Sequence, residues 1–168
     1  MKDIEEIYRK YAPQVKRYVF SLCQNPDLAE DITADVFCKA IENIDSFKSG
    51  RMLTWLCAIA RNTYIDHTRK KENRNLPLSH ELQKQLMDER TTPESDFLKK
   101  TDRLTLYRQL QRLESEMKDV VYLRIFAELS FKEIGELLGR SENWARVSFY
   151  RSKNRLKGWM NDENGFTL

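Results

Sequence analysis

The chain has 168 residues and a formal net charge of +3, a size that holds one ordinary domain or two small ones. Five Gly and four Pro favour helices over a turn-rich β fold. No apolar run approaches the roughly 20 residues a membrane span needs, and the start MKDIEEIYRK has no apolar signal core, which predicts a cytoplasmic protein.

Ile4, Ile7, Tyr8 and Tyr11 follow the i, i+3, i+4, i+7 spacing of an amphipathic helix. Pro13 fits the first turn of a second helix carrying Val15, Tyr18, Val19 and Leu22. NPDLAED predicts a break and restart, with Asp27 as N-cap, Glu30 three residues on, and a helix to about Ile44. DSFKSGR predicts a turn around Gly50. A further helix places Met52, Trp55, Leu56, Ile59, Ala60 and Thr63 on one face, with Trp55 read as core, and ends in RKKENR. Over 73–103 the apolar stripe fades and Pro77 and Pro93 interrupt it, which predicts a flexible linker with short turns near Leu82 and Leu86. Regular helices resume with Leu106, Leu110 and Leu113, and again with Val120, Val121, Leu123, Ile125 and Phe126.

The fold class this predicts is all-α: two small helical domains, 1–72 and 104–160, joined by a flexible linker over 73–103, with a polar tail at 161–168. The second domain contains a helix-turn-helix. Its signals are local. Ser130 caps a short helix and Glu133 completes a capping box. Ile134, Leu137 and Leu138 form the apolar face, and Gly139 takes the left-handed stop. Ser141 caps the next helix two residues later. In that last helix Ala145, Phe149, Ser152 and Leu156 face inward. Asn143, Arg146, Val147, Tyr150, Arg151 and Lys153 face outward. Arginine can read guanine edges bidentately, and Arg and Lys neutralise phosphates.

Nothing proposes a reaction. Cys23, Cys38 and Cys57 form no CxxC pair and read as buried free thiols, and His67 and His80 are too few and too isolated for a metal site. There is no Gly-rich phosphate loop, GxSxG elbow or HExxH. The expectation is therefore no enzyme, no cofactor and no small-molecule substrate. Charge is distributed unevenly: Arg140 to Lys157 holds six basic residues against Glu142, while Leu28 to Asp45 holds five acids against Lys39. A basic end and an acidic helix predict two different partners.

DLAEDITADVFCKAIENIDSF followed by MLTWLCAIARNTYIDHTRKK resembles region two of the extracytoplasmic-function sigma factors, and LESEMKDVVYLRIFAELSFKEIGELLGRSENWARVSFYRSKNRLKGW resembles their region four. The resemblance covers about residues 5 to 160. It implies an alternative sigma factor that binds core RNA polymerase, directs it to promoter DNA and helps melt the downstream element. It implies core-polymerase binding at Asp31, Ala34, Asp35 and Phe37. It implies single-strand reading of the downstream element by Phe47, Lys48, Ser49, Arg51, Arg61, Asn62, Asp66 and Arg69. It implies duplex reading of the upstream element by Asn143, Trp144, Arg146, Val147, Tyr150, Arg151 and Lys153. It also implies an anti-sigma partner, often membrane-anchored. The recognition helix departs from the common Gly-Thr-Val-Lys-Ser-Arg-like start: in NWARVS, Val147 stands where a hydrogen-bonding residue is usual and Ser148 where Arg is usual. Two other classes fit the bare composition, a stand-alone helix-turn-helix regulator and a helical protein-binding adaptor. The first predicts a dimer on a two-fold site, the second no basic recognition face.

Overall fold

The computed structural model describes residues 3–48, 50–71 and 100–164. The linker expected over 73–103 lies almost wholly outside them, as do Ser49, His80 and the turns expected near Leu82 and Leu86. Seven α-helices and one short 3-10 turn make up the described residues, with no strand among them. None of the described helices is long and apolar enough to cross a membrane.

The first module has three helices. α1 (Ile4–Cys23) starts at Asp3, whose carboxylate accepts from Glu5 N–H at 3.1 Å. Two helices were expected here, divided at Pro13; the chain makes one. Proline in a helix interior costs about 3 kcal/mol. However, Ile7, Tyr11, Val15, Tyr18 and Leu22 stay in phase across it and pack on one core, so burial outweighs the lost hydrogen bond. Gln24 ends the helix at φ 55°, its N–H donating to Phe20 O.

α2 (Pro26–Glu42) is capped by Asn25, not by the expected Asp27. Asn25 Oδ1 accepts from Asp27 N at 3.0 Å and Leu28 N at 3.3 Å, and Pro26 occupies the first helical position, where its missing N–H costs nothing. Ala29, Ile32, Val36 and Ala40 form its buried stripe. The helix stops at Glu42, and the turn Ile44–Ser46 follows. Gly50, at φ 97°, makes the corner into α3 (Met52–Lys71), which buries Met52, Leu53, Leu56, Cys57 and Ala60. The three helices pack on one another pairwise.

The second module holds α4 (Lys100–Leu110), α5 (Ser115–Ile125), α6 (Phe131–Leu138) and α7 (Glu142–Asn164). α4 begins a few residues ahead of the expected domain start. α7 continues through 161–164, so half of the expected tail is helix. Leu113 is buried in the turn after α4, and Ile125 at the end of α5 is exposed. The helix-turn-helix forms as the caps dictate: Ser130 Oγ accepts from Glu133 N at 3.1 Å, Gly139 sits at φ 70°, and Ser141 Oγ accepts from Trp144 N at 3.0 Å. Its tightness depends on Gly135, because a Cβ there would lie 2.8 Å from Arg140 O and 2.9 Å from Ser141 C and O. Ala145, Ser152 and Leu156 are buried as expected, with Phe149 half-buried.

The modules pack together, α1 against α5 and α3 against α6, and their buried residues join in one cluster. Tyr18 of α1 is fully buried there, and its hydroxyl has no hydrogen-bond partner. Burial, followed by the nearby Asp119 carboxylate, pushes that hydroxyl well above its ordinary pKa.

Candidate polymerase and nucleic-acid interfaces

The acidic row on α2 is open. Asp31, Ala34 and Asp35 are exposed on one face at i, i+3 and i+4, and Cys38 extends that face by one turn. Phe37, expected to dock with them, is 5% exposed, its ring packed edge-on to Tyr8 with centroids 4.9 Å apart. Each helical position turns by about 100°, so Phe37, two positions and about 200° from Asp35, faces the core beside the buried Val36 while Asp35 faces solvent. The exposed Cys38 also corrects the expectation of three buried thiols. Cys57 is buried, its thiol pushed up to about 12 by burial, and Cys23 is half-buried.

The described residues expected to read a melted strand divide between two surfaces of the first module. Asn62, Asp66 and Arg69 lie at i, i+4 and i+7 and are exposed. Asn62 borders a shallow cleft of about 280 Å³ together with Lys39, Ser46, Trp55 and Ile59. Trp55 is half-buried rather than fully core, with Phe47 tilted against it at 5.4 Å. Lys48, in the turn before α3, is exposed. A cleft edged by an amide, a lysine and an indole can hold an unstacked base and the strand beside it.

Arg51 and Arg61 point elsewhere, toward the second module. Arg51 Nη1 donates to both Glu133 carboxylate oxygens, at 3.2 and 3.3 Å. Thr54 Oγ1 donates to Glu133 Oε2 at 2.6 Å. Arg61 donates through Nε and Nη2 to Asp119 Oδ2, at 3.3 and 2.9 Å. Burial alone would raise the Glu133 carboxyl. Hydrogen bonds from Thr54, Ser130 and Arg51, with the Arg51 charge, hold it below its ordinary value instead.

The basic face of α7 is open. Asn143, Arg146, Val147, Tyr150, Arg151 and Lys153 are all exposed. Trp144 is half-buried, and the Arg140 guanidinium lies 5.0 Å from its ring, so it supports the helix start rather than joining the outward row. Arg146 is held between Glu142, 3.5 Å away, and the Phe131 ring, 5.4 Å from its guanidinium carbon. Phe131, Phe149 and Tyr150 form an aromatic group with centroids 5.5–6.1 Å apart, and the exposed Arg146 lies over its Phe131 ring. Ser148 is buried, which accounts for a small residue at that position.

Sequence reasoning missed Arg17, Thr54, Asp119, Glu128 and Glu133 as partners across the modules. Phe131 as the platform under Arg146 was missed as well. Among the described residues no cluster of His, Cys, Asp and Glu could hold a metal ion.

Residues 7–74 match the Sigma-70 region 2 family and residues 103–156 match Sigma-70, region 4. The chain is 30% identical over 159 residues to the RNA polymerase sigma factor YlaC of Bacillus subtilis (strain 168), covering 92% of this chain and 90% of that one. It is 28% identical over 158 residues to the ECF RNA polymerase sigma factor SigM of the same organism, covering 94% and 95%. In fold it is similar to the sigma factor RpoE from a complex with the anti-sigma factor NepR of Bartonella quintana: TM-score 0.75, 20% identity, 96% of this chain and 98% of that one. It is also similar in fold to CnrH from a complex with the cytosolic domain of CnrY: TM-score 0.68, 17% identity, 95% and 88%.

Proposed function

The chain belongs to the extracytoplasmic-function group of the sigma-70 family, the alternative sigma factors that direct RNA polymerase to promoters, and on that premise we propose how its surfaces divide the work. The exposed row Asp31, Ala34 and Asp35 docks on core polymerase, with Phe37 supporting it from below. The open face of α3, with Lys48, Asn62, Asp66 and Arg69 around the Trp55 cleft, takes the downstream element as a single strand. Arg146, Tyr150, Arg151 and Lys153 on α7 take the upstream element as duplex, Arg146 reaching base edges and Lys153 a phosphate. Residues 1–72 and 104–160 act as separate units in the working complex. The protein carries no reaction of its own and works in the cytoplasm beside polymerase. An anti-sigma partner, often membrane-anchored in this group, covers the polymerase-binding faces, in keeping with the solved complex of RpoE with NepR.

The observation that carries this reading is the pairing of an open acidic row on α2 with an open basic row on a capped helix-turn-helix, each in a module that matches its own sigma region. Co-purification with core polymerase followed by promoter-dependent transcription in vitro tests it. Asp31→Lys with Asp35→Lys is expected to abolish co-purification while helical content by circular dichroism stays unchanged. A folded double mutant that still binds core enzyme moves the docking site elsewhere.

A further inference from the structure

Among the described residues three ion pairs join the two modules: Arg17 with Glu128 at 3.6 Å, Arg51 with Glu133 at 3.2 Å, and Arg61 with Asp119 at 2.9 Å. All three have the same polarity: the first module supplies every cation and the second every anion. Glu128 stands at φ 57°, a left-handed conformation in which glycine is the unstrained choice, yet the position carries a carboxylate aimed at Arg17. Thr54 donates a further hydrogen bond from its neutral hydroxyl to the Glu133 carboxylate.

Two of these arginines, Arg51 and Arg61, are among the residues the family pattern places on a melted strand. A guanidinium donates to a carboxylate or a phosphate through the same fork of N–H groups. The second module therefore sets carboxylates on the first module's arginines, while its own basic row on α7 stays open to solvent. Each pair is partly exposed, with Arg51 the most open at 49%, so each is individually weak and screened by salt. The chain between Lys71 and Lys100 is long enough, roughly 90–100 Å if extended, to let the modules part.

We propose that Arg17, Arg51 and Arg61 form one anion track on the first module, which takes either the carboxylates of the second module or the backbone phosphates of a single DNA strand, so that closure and strand binding exclude each other. This rests on the sigma-factor reading for the identity of the strand. It adds Arg17 to the strand-binding surface and makes the second module a competitor for it. Polymerase, by holding the modules apart, frees the track at the moment it is needed.

The test uses the full chain with Glu128→Gln, Glu133→Gln and Asp119→Asn together. Glutamine keeps the capping role at residue 133, so the helix-turn-helix is retained. A second protein removes three acids away from the interface, with Asp27→Asn, Asp45→Asn and Glu136→Gln, and controls for net charge. The radius of gyration is read by small-angle X-ray scattering. Affinity is read by fluorescence anisotropy with a ten-nucleotide single strand and with the matching duplex. The interface triple is expected to expand and to bind the single strand at least fivefold more tightly than the control, with less than a twofold difference on duplex. An unchanged radius of gyration overturns the clasp; expansion without a gain in strand affinity over the control overturns the track. Should the triple not fold, Arg61→Asp with Asp119→Arg restores the pair with reversed polarity. It is expected to stay as closed as the wild type and to lose single-strand affinity at least threefold; unchanged affinity overturns the proposal. Wild-type promoter transcription with core polymerase tests the sigma reading separately, since a protein that opens and binds strand yet drives no transcription sinks that reading and leaves the track standing.

Discussion

Arg61 and Asp119, 58 residues apart in sequence, meet through two hydrogen bonds to one carboxylate oxygen. The pair is neither deeply buried nor free, with side chains 29% and 17% exposed. The fully buried Tyr18 lies near enough that, after burial itself, the Asp119 carboxylate helps raise the pKa of its hydroxyl.

A double-mutant cycle measures what the pair contributes. Arg61→Ala and Asp119→Ala are each expected to lower stability by about 1–2 kcal/mol, and the double mutant to fall short of their sum by about 1 kcal/mol. Urea unfolding of the four proteins gives the coupling. Additivity within about 0.3 kcal/mol would mean that the two side chains act independently despite their geometry.

Glu133 gives the fold an acid-sensitive element. Its carboxyl is held below the ordinary value in the folded chain, so its contribution is fully present above the ordinary carboxylate range and is lost as pH falls through the depressed folded value. The urea midpoint of Glu133→Gln is expected to fall less steeply than that of the wild type between pH 5 and about pH 3. Parallel curves would assign acid sensitivity to other carboxylates.

Gly135→Ala is expected to destabilise the second module by about 1–3 kcal/mol. The added Cβ meets backbone atoms of Arg140 and Ser141, which cannot move aside as a flexible side chain could, and the distortion falls on the turn that aims α7. The readouts are thermal unfolding and duplex binding; an unchanged melting temperature would show that the turn opens at no cost.

Tyr18→Phe removes a buried hydroxyl that satisfies no hydrogen bond, so the change is expected to be neutral or to stabilise by about 1 kcal/mol. Tyr18→Ala, which empties the same space, is expected to cost about 3–5 kcal/mol. A loss above about 1 kcal/mol in the Phe variant would reveal a partner for the hydroxyl, such as bound water.

The thiols differ in reach. Cys38 is exposed on the acidic face, while Cys57 is buried with its pKa pushed up to about 12. A neutral thiol reagent such as iodoacetamide is expected to modify Cys38 within minutes in native protein and Cys57 only on unfolding. Peptide mapping by mass spectrometry checks the order. Early labelling of Cys57 would mean that α3 opens locally.

Elements carried by short-range chemistry were legible in the sequence. Ser130, Gly139 and Ser141 announce the helix-turn-helix because each acts on backbone within four residues. The exposed face of α7 follows from the same periodicity. Pro13 misled because its penalty is local and fixed, whereas the stripe that overrides it runs the whole length of α1. Asn25 caps in place of Asp27 because Pro26 between them occupies the first helical position. Phe37 came to the docking face through the family resemblance, which does not carry the helical phase that sets it about 200° from Asp35. The contacts between modules were beyond reach. Glu133 already had a role as a capping-box residue, and nothing in the sequence says that its second oxygen meets Arg51, 82 residues away.

That separation also orders events at birth. α1, α2 and α3 pack on one another, so the contacts within the first module can begin to form once those helices leave the ribosome. The acidic partners are made later: at 5–20 residues per second, the 58 residues from Arg61 to Asp119 take roughly 3–12 s to synthesise. For that interval every nascent chain presents its arginines uncovered. Newly made protein therefore passes through an open form once, before it first closes, and a polymerase or inhibitor near the ribosome meets that form first.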